Sequence, residues 1–174
     1  MNIGGIGLFI REATEKDAEC ILYIRKSIIS QNEFFLVTSE EFHVDIEMQK
    51  QRTITNSQQG GVTFVAEDGE RIVGFLVFTR NSMKRLNHTG SFGIGILDNY
   101  RNQGAGTKML LQLIDWAKTQ DGIEKICLGV ISTNERAIKV YGKIGFKEEG
   151  REKQQIKFEN GQYADNIIMA LHLQ

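Results

Sequence analysis

The sequence predicts an α/β fold with a mixed, mostly antiparallel central sheet flanked by helices, formed as a single domain over residues 1–174. Three observations predict it. Two apolar runs meet at Asp68-Gly69, a hairpin signal. Two later apolar runs, ending near Leu97 and Val130, each feed a turn and then an amphipathic stretch. The tail closes with two strand-like runs about Asn160-Gly161. No linker or internal repeat divides the chain, and it contains no proline.

Leu8–Ala13 reads as the first strand. Glu15–Ser30 follows as a helix, with Ala18, Ile21, Leu22, Arg25 and Ile29 along successive turns. A second helix is expected from Thr38: Thr38 and Glu41 have capping-box spacing, and Val37 and Phe42 that of a hydrophobic staple. Gly61–Glu67 and Arg71–Thr79 form the hairpin. A polar loop, Asn81–Asn87, leads to a strand over Gly90–Leu97. Gly106–Thr119 is helical because Met109, Leu110, Leu113, Ile114 and Ala117 make one apolar face. Lys125–Val130 is a short buried strand. At the next turn Ser132 and Glu135 have capping-box spacing, and the helix after it carries Ala137, Ile138, Tyr141 and Ile144 until Gly145 stops it. Glu148–Phe158 and Tyr163–His172 close the sheet as an antiparallel pair. The order is β-α-α-β-β-β-α-β-α-β-β.

The stretch richest in chemistry is Tyr100–Leu111, YRNQGAGTKMLL. It sits between a strand and a helix, which is where an anion-binding backbone cradle forms. Gly104 and Gly106 let the chain curl and a ligand approach closely. The unpaired N–H groups of the new helix then face that ligand. The spacing fits neither G-x-G-x-x-G, because Met109 stands where the third glycine belongs, nor a P-loop, because no Gly-Lys-Ser or Gly-Lys-Thr occurs. What remains is R-x-x-G-x-G, carried by Arg101, Gly104 and Gly106.

Composition excludes several classes. A net charge of −1 argues against a nucleic-acid partner. The start, MNIGGIGLFI, lacks a basic region and meets Arg11 and Glu12 too soon for a signal peptide. No apolar stretch approaches the length of a membrane span. Cys20 and Cys127 lie in apolar patterns, and no Cys/His cluster suggests a metal. The expectation is a cytoplasmic protein with reduced thiols, without metal or membrane partner.

After the fifth strand stands N-x-x-A-x-x-x-Y-x-x-x-G-F, as Asn134, Ala137, Tyr141, Gly145 and Phe146. With R-x-x-G-x-G after the fourth strand, this order resembles the GNAT superfamily of N-acetyltransferases over nearly the whole chain. The tail from Gly150, GREKQQIKFENGQYADNIIMAL, resembles the spermidine and ribosomal-protein N-acetyltransferase branches. The resemblance implies the acyl-CoA N-acyltransferase fold and acetyl transfer from acetyl-CoA to a primary amine: a small amine, a polyamine or a protein N-terminus. It also implies that a homodimer is possible.

Residue by residue, the resemblance implies a pyrophosphate held by the backbone of Asn102, Gln103, Gly104, Ala105, Gly106 and Thr107, with Arg101 opening the turn. Ile96 and Leu97 match the positions where the pantetheine arm pairs with the fourth strand as it splays from the fifth, and a backbone N–H there polarises the thioester carbonyl. Asp98 stands where family members often have proline. Asn134 and Ala137 match cofactor-side positions, and Lys143 is placed to reach a phosphate. Tyr141 is the expected general acid, because a phenol of pKa near ~10 can protonate a leaving thiolate. Glu33, between the first two helices, is the candidate base, with a solvated loop residue as the plainer reading. The acidic cluster Glu40, Glu41, Asp45 and Glu47 reads either as a lure for a cationic amine or as a solvated face. An acyl-enzyme on cysteine is disfavoured against direct transfer. Two other classes stay open: a non-catalytic acyl-CoA-binding regulatory protein, and a nucleotide-binding α/β domain.

Overall fold

A computed structural model describes residues 7–31 and 34–173. Its strands are β1 (Phe9–Glu12), β2 (Val62–Asp68), β3 (Arg71–Arg80), β4 (Thr89–Ile96), β5 (Lys125–Ile131), β6 (Lys147–Lys157) and β7 (Tyr163–His172). Its helices are α1 (Ala18–Ser30), α2 (Ile46–Gln58), α3 (Ala105–Lys118) and α4 (Glu135–Ile144). The strands form a seven-stranded sheet in the order β1-β2-β3-β4-β5-β7-β6. Neighbouring strands run antiparallel except β4 and β5.

Two apolar clusters sandwich the sheet. On one face Met109, Leu110 and Leu113 of α3 meet Phe64, Leu76 and Phe78. On the other, Ile21, Ile24 and Ile28 of α1 meet Val65 and Phe75. Each side chain of this size contributes about 1.5–3 kcal/mol when fully buried. Alternate residues of β2 and β3 therefore serve opposite cores, and both strands read as continuous apolar runs.

The helix expected from Thr38 begins later. Its capping box does form: the Thr38 N–H and hydroxyl each donate to Glu41 Oε2 at 2.9 Å. That pattern closes only one turn. Val37 and Phe42 pack onto the α1 core, the chain continues without helix through 42–45, and Asp45 becomes the true cap, accepting from the Met48 N–H at 2.7 Å. The first helix opens with a 3-10 turn, Glu15–Asp17.

Arg11 pins that turn to the sheet. Its guanidinium donates to both carboxylate oxygens of Asp17 at 2.8 Å and to Glu67 Oε1 at 2.8 Å. Asp17 is only 6% exposed. Hydrogen bonds from Arg11 hold its carboxyl below the usual range, against the opposing effect of burial, with a further bond from the Thr14 N–H. The stabilisation is thus present above the unfolded carboxyl value and lost as pH falls through the lower folded one. Asp17→Asn is expected to cost about 1.5–3 kcal/mol at neutral pH in urea unfolding. The difference from wild type should vanish in strong acid; an equal gap at both pH values would contradict the ion pair's role.

Candidate active site

β4 and β5 pair at Thr89–Lys125, Gly90–Ile126 and Ser91–Cys127, and the ladder stops there. β4 stays paired with β3 through Ile96, and β5 with β7 through Ile131. Beyond Ser91 and Cys127 the two strands diverge, leaving a notch with an unpaired backbone edge on each side. The Leu97 N–H donates to the Val73 carbonyl at 2.9 Å. Backbone groups alternate sides along a strand, so the N–H groups of Ile94 and Ile96 face the notch. Of the two positions singled out in sequence, Ile96 offers an amide to a ligand and Leu97 does not, because its amide is committed to β3.

An aromatic wedge fills the base of the notch. The Phe92 ring lies edge-on to Tyr141, with centroids 5.8 Å apart, and to Phe146 at the same 5.8 Å. Tyr141 comes from α4 and is 9% exposed. Its hydroxyl has no hydrogen-bond partner among the described residues. Burial pushes its pKa up to about 12, so the phenol is fully protonated at neutral pH.

At the end of β4 the chain passes through a 3-10 turn, Asp98–Tyr100, into the glycine turn. Asn102 (φ 64°) and Gly104 (φ 83°) are both left-handed, the first tolerated because asparagine bonds locally and the second because glycine has no Cβ. This curl turns successive N–H groups toward one concave side. The first helical bond of α3 runs from the Lys108 N–H to the Gly104 carbonyl, at 2.9 Å. Among the described residues, the amides of Asn102–Thr107 donate to no protein acceptor. Gly106 packs against the Ile96 side chain: a Cβ there would lie 3.3 Å from Ile96 Cδ1. The row of free donors therefore adjoins the β4 edge of the notch, and the backbone suits a diphosphate.

The Arg101 guanidinium points elsewhere. It pairs with Asp98 at 2.9 Å and donates to Gln31 Oε1, at the end of α1, at 3.0 Å. Arg101 braces the turn against α1. The Gln103 side chain likewise folds back, donating to the Asn99 carbonyl at 2.6 Å.

On α4, Asn134 is the N-cap, its Oδ1 accepting from the Ala137 N–H at 3.2 Å. The capping box expected between Ser132 and Glu135 does not form, because Ser132 Oγ instead accepts from the Asp165 N–H at 3.0 Å. Ala137 is half-buried against the core, and Lys143 is exposed on the last turn.

The opposite face of the sheet carries α1 and α2. Glu33 lies outside the described residues. The acidic cluster is largely occupied in structure: Glu41 closes its turn, Asp45 caps α2 and Glu47 lies 3.5 Å from Lys50. Sequence reasoning missed Arg25 as a functional candidate. Its guanidinium sits 4.7 Å above the Phe75 ring, its Nε is buried without a partner, and burial, then the charge of Arg52, lowers its pKa to about 10. The available signal was an arginine in an isoleucine-rich stripe. Burial raises the Cys127 thiol, which keeps it protonated and weakly nucleophilic, while Cys20 is exposed on α1 rather than packed in apolar surroundings. Among the described residues no group of three or more His, Cys, Asp or Glu is placed to hold a metal, and no helix is long and apolar enough to cross a membrane.

Residues 25–146 match the model of the "Acetyltransferase (GNAT) family". The L-amino acid N-acetyltransferase AaaT of Escherichia coli K12 is 29% identical over 163 residues, covering 94% of this chain and 96% of that protein. The spermidine N(1)-acetyltransferase of the same strain is 32% identical over 62% of this chain and 56% of its own length. Its ribosomal protein bS18 alanine N-acetyltransferase is 30% identical over 63% and 77%. Among solved structures, a GNAT-family acetyltransferase from Streptococcus pneumoniae superposes with a TM-score of 0.88 at 26% identity, over 95% of this chain and 99% of that one. An acetyltransferase from Salmonella typhimurium, solved with its cofactor acetyl-CoA, shares the fold with a TM-score of 0.86 at 22% identity, over 96% and 94%. The family match spans both motifs and the notch between them, on a fold shared almost end to end, and this chain belongs to the GNAT family of acetyltransferases.

Proposed function

We propose that the chain transfers an acetyl group from acetyl-CoA directly to a primary amine. The observation that carries this reading is the notch itself: one strand edge with free amides, a row of unpaired turn amides beside it, and a protonated phenol at its base. Acetyl-CoA supplies an activated acetyl group as a thioester. The amides of Asn102–Thr107 hold its pyrophosphate. A helix dipole alone contributes only about 0.3–1 kcal/mol, whereas micromolar binding requires about 8 kcal/mol. Several charge-assisted amide bonds and pairing of the pantetheine arm along β4 make up the difference. The amine nitrogen forms a bond to the thioester carbon, whose carbonyl the Ile96 N–H polarises. The C–S bond breaks, Tyr141 gives the departing sulfur its proton, and the proton shed by the nitrogen passes to solvent, which reprotonates the phenol. Lys143 and Asn134 flank the cofactor side. The relatives named for an L-amino acid, spermidine and a ribosomal-protein alanine support an amine as acceptor.

The test pairs binding with turnover. Acetyl-CoA at about 100 times its Kd should stabilise the protein by about 2.7 kcal/mol in thermal unfolding, while ATP and NAD should not. Free thiol should then appear when acetyl-CoA is mixed with a panel of amines and N-terminal peptides. Stabilisation without thiol release from any amine would convert the reading to a regulatory acyl-CoA binder. Stabilisation by ATP or NAD instead would point to a nucleotide-binding domain.

A further inference from the structure

Two arginines on the α1–α2 face, Arg25 and Arg52, have no task in the chemistry above. Strand register places Thr63, Val77 and Gly93 in one row across β2, β3 and β4, and Val65, Phe75 and Gly95 in the next. Residues directly opposite share a face. Over the second row α1 packs tightly: a Cβ on Gly95 would lie 2.6 Å from Ile28 Cδ1 and 2.7 Å from the Phe75 ring. α2 lies over β2, anchored where the Asn56 amide donates to the Phe78 carbonyl at 3.0 Å. At Gly93 the floor is open, since a Cβ there would meet nothing within 4 Å. Gly93 precedes Ile94, whose amide faces the notch, so this open floor borders the place where an acceptor must arrive.

Arg25 leaves α1 at this seam, with its guanidinium over Phe75. It forms no ion pair among the described residues, and its buried Nε has no acceptor. Arg52, exposed on α2, is close enough to oppose its charge. On the same helix Gln49 buries an Oε1 that also lacks a partner. A half-buried guanidinium with a second cation beside it, and no carboxylate paired with it among the described residues, is costly. Removing the acidic groups from consideration strengthens the point, because Glu41, Asp45 and Glu47 are held by their own turn and helix. An anion entering over Gly93 would answer the charge and the Arg25 Nε–H, whereas the Gln49 Oε1 is an acceptor and would take a donor such as an ammonium N–H.

We propose that Arg25, assisted by Arg52, binds the carboxylate of the acceptor, so that the amine acetylated here is a carboxylate-bearing one, an α-amino acid, and not a polyamine. This rests on the acetyltransferase reading above. The guanidinium fork fixes the carboxylate over Gly93 and leaves the amino end to reach the notch.

The experiment measures kcat/KM by thiol release for a panel of L-amino acids, each with its amide and its decarboxylated amine, and for spermidine. Wild type should favour the best amino acid over its own amide by about 10–100-fold. Arg25→Met replaces the guanidinium over Phe75 with an uncharged side chain that can still cover the ring, and should erase that preference through the KM of the amino acid. The KM for acetyl-CoA and the rates with amides should stay within about twofold. Arg52→Ala changes an exposed side chain and should weaken the preference in part. Equal use of amino acid and amide, a preference that survives Arg25→Met, or spermidine as the best acceptor would each overturn the assignment while leaving the transferase reading intact. No amine-dependent thiol release with any member of the panel would overturn both.

Discussion

Tyr141→Phe is expected to lower kcat by about 10²–10⁴-fold while leaving the KM for acetyl-CoA nearly unchanged. The substitution removes one oxygen. The ring keeps its packing on Phe92 and Phe146, with centroids 5.8 and 6.0 Å away, so the notch keeps its shape. The hydroxyl has no partner among the described residues, so deleting it orphans nothing. A loss of turnover therefore reports chemistry rather than folding. A phenol at about 12 is a weaker acid than one in water. In the proposed reaction the departing sulfur would leave into the same apolar surroundings, which would raise its basicity as well and keep proton transfer feasible. The sign of the pH dependence follows: the active form is the protonated one, present below the raised pKa. Wild-type kcat should show no falling limb from this group up to about pH 10. Unchanged turnover in the variant would take Tyr141 out of the chemistry. A large rise in the acetyl-CoA KM would reassign it to binding.

Gly90→Val should destabilise the sheet by about 3 kcal/mol, lowering Tm by about 6–12 °C. Gly90 is paired on both sides, opposite Arg80 of β3 and Ile126 of β5, where the notch begins. A Cβ there would lie 2.6 Å from Phe78 Cε2 and 2.7 Å from the Thr79 carbonyl oxygen. Phe78 is fully buried and the carbonyl is backbone, so neither can yield cheaply. Relief must come from moving β4, and that motion changes the angle of the notch. Differential scanning calorimetry with and without acetyl-CoA separates the two effects. Loss of Tm alone marks overpacking, and loss of the ligand-induced shift as well marks a misplaced strand. A Tm within a degree of wild type would refute the packing argument.

What was legible in sequence was local. The hairpin at Asp68-Gly69, the apolar face of α3 and the stop at Gly145 (φ 117°) depend on neighbouring residues and stand where they were expected. The start of α2 was missed because a capping box is satisfied equally by a single turn. Whether it grows depends on where Val37 and Phe42 find their core. The capping box expected at Ser132 and Glu135 does not form for a related reason, the Ser132 hydroxyl being taken by Asp165 on a distant strand. Within the site, motif spacing identified the turn and Tyr141 but not which amides remain free. Ile96 and Leu97 are adjacent, and only the β3–β4 register shows that one faces the notch and the other faces Val73. Arg25 was visible as a position on the core side of α1. Its lack of a counter-ion among the described residues is a property of two helices and three strands together.

The short ladder between β4 and β5 has a mechanical side. Everything before it, β1 through β4, is one continuous antiparallel meander. Everything after it is a second antiparallel block, with β7 inserted between β5 and β6. The sheet is thus two stiff plates from consecutive parts of the chain, joined across the strand direction only from Thr89 to Ser91. Gly90 lies at the centre of that short join, and one apolar core spans both plates beneath it. A molecule laid along the free edges would span both plates and act as a strut, so filling the slot would stiffen the whole sheet and not merely the residues it touches.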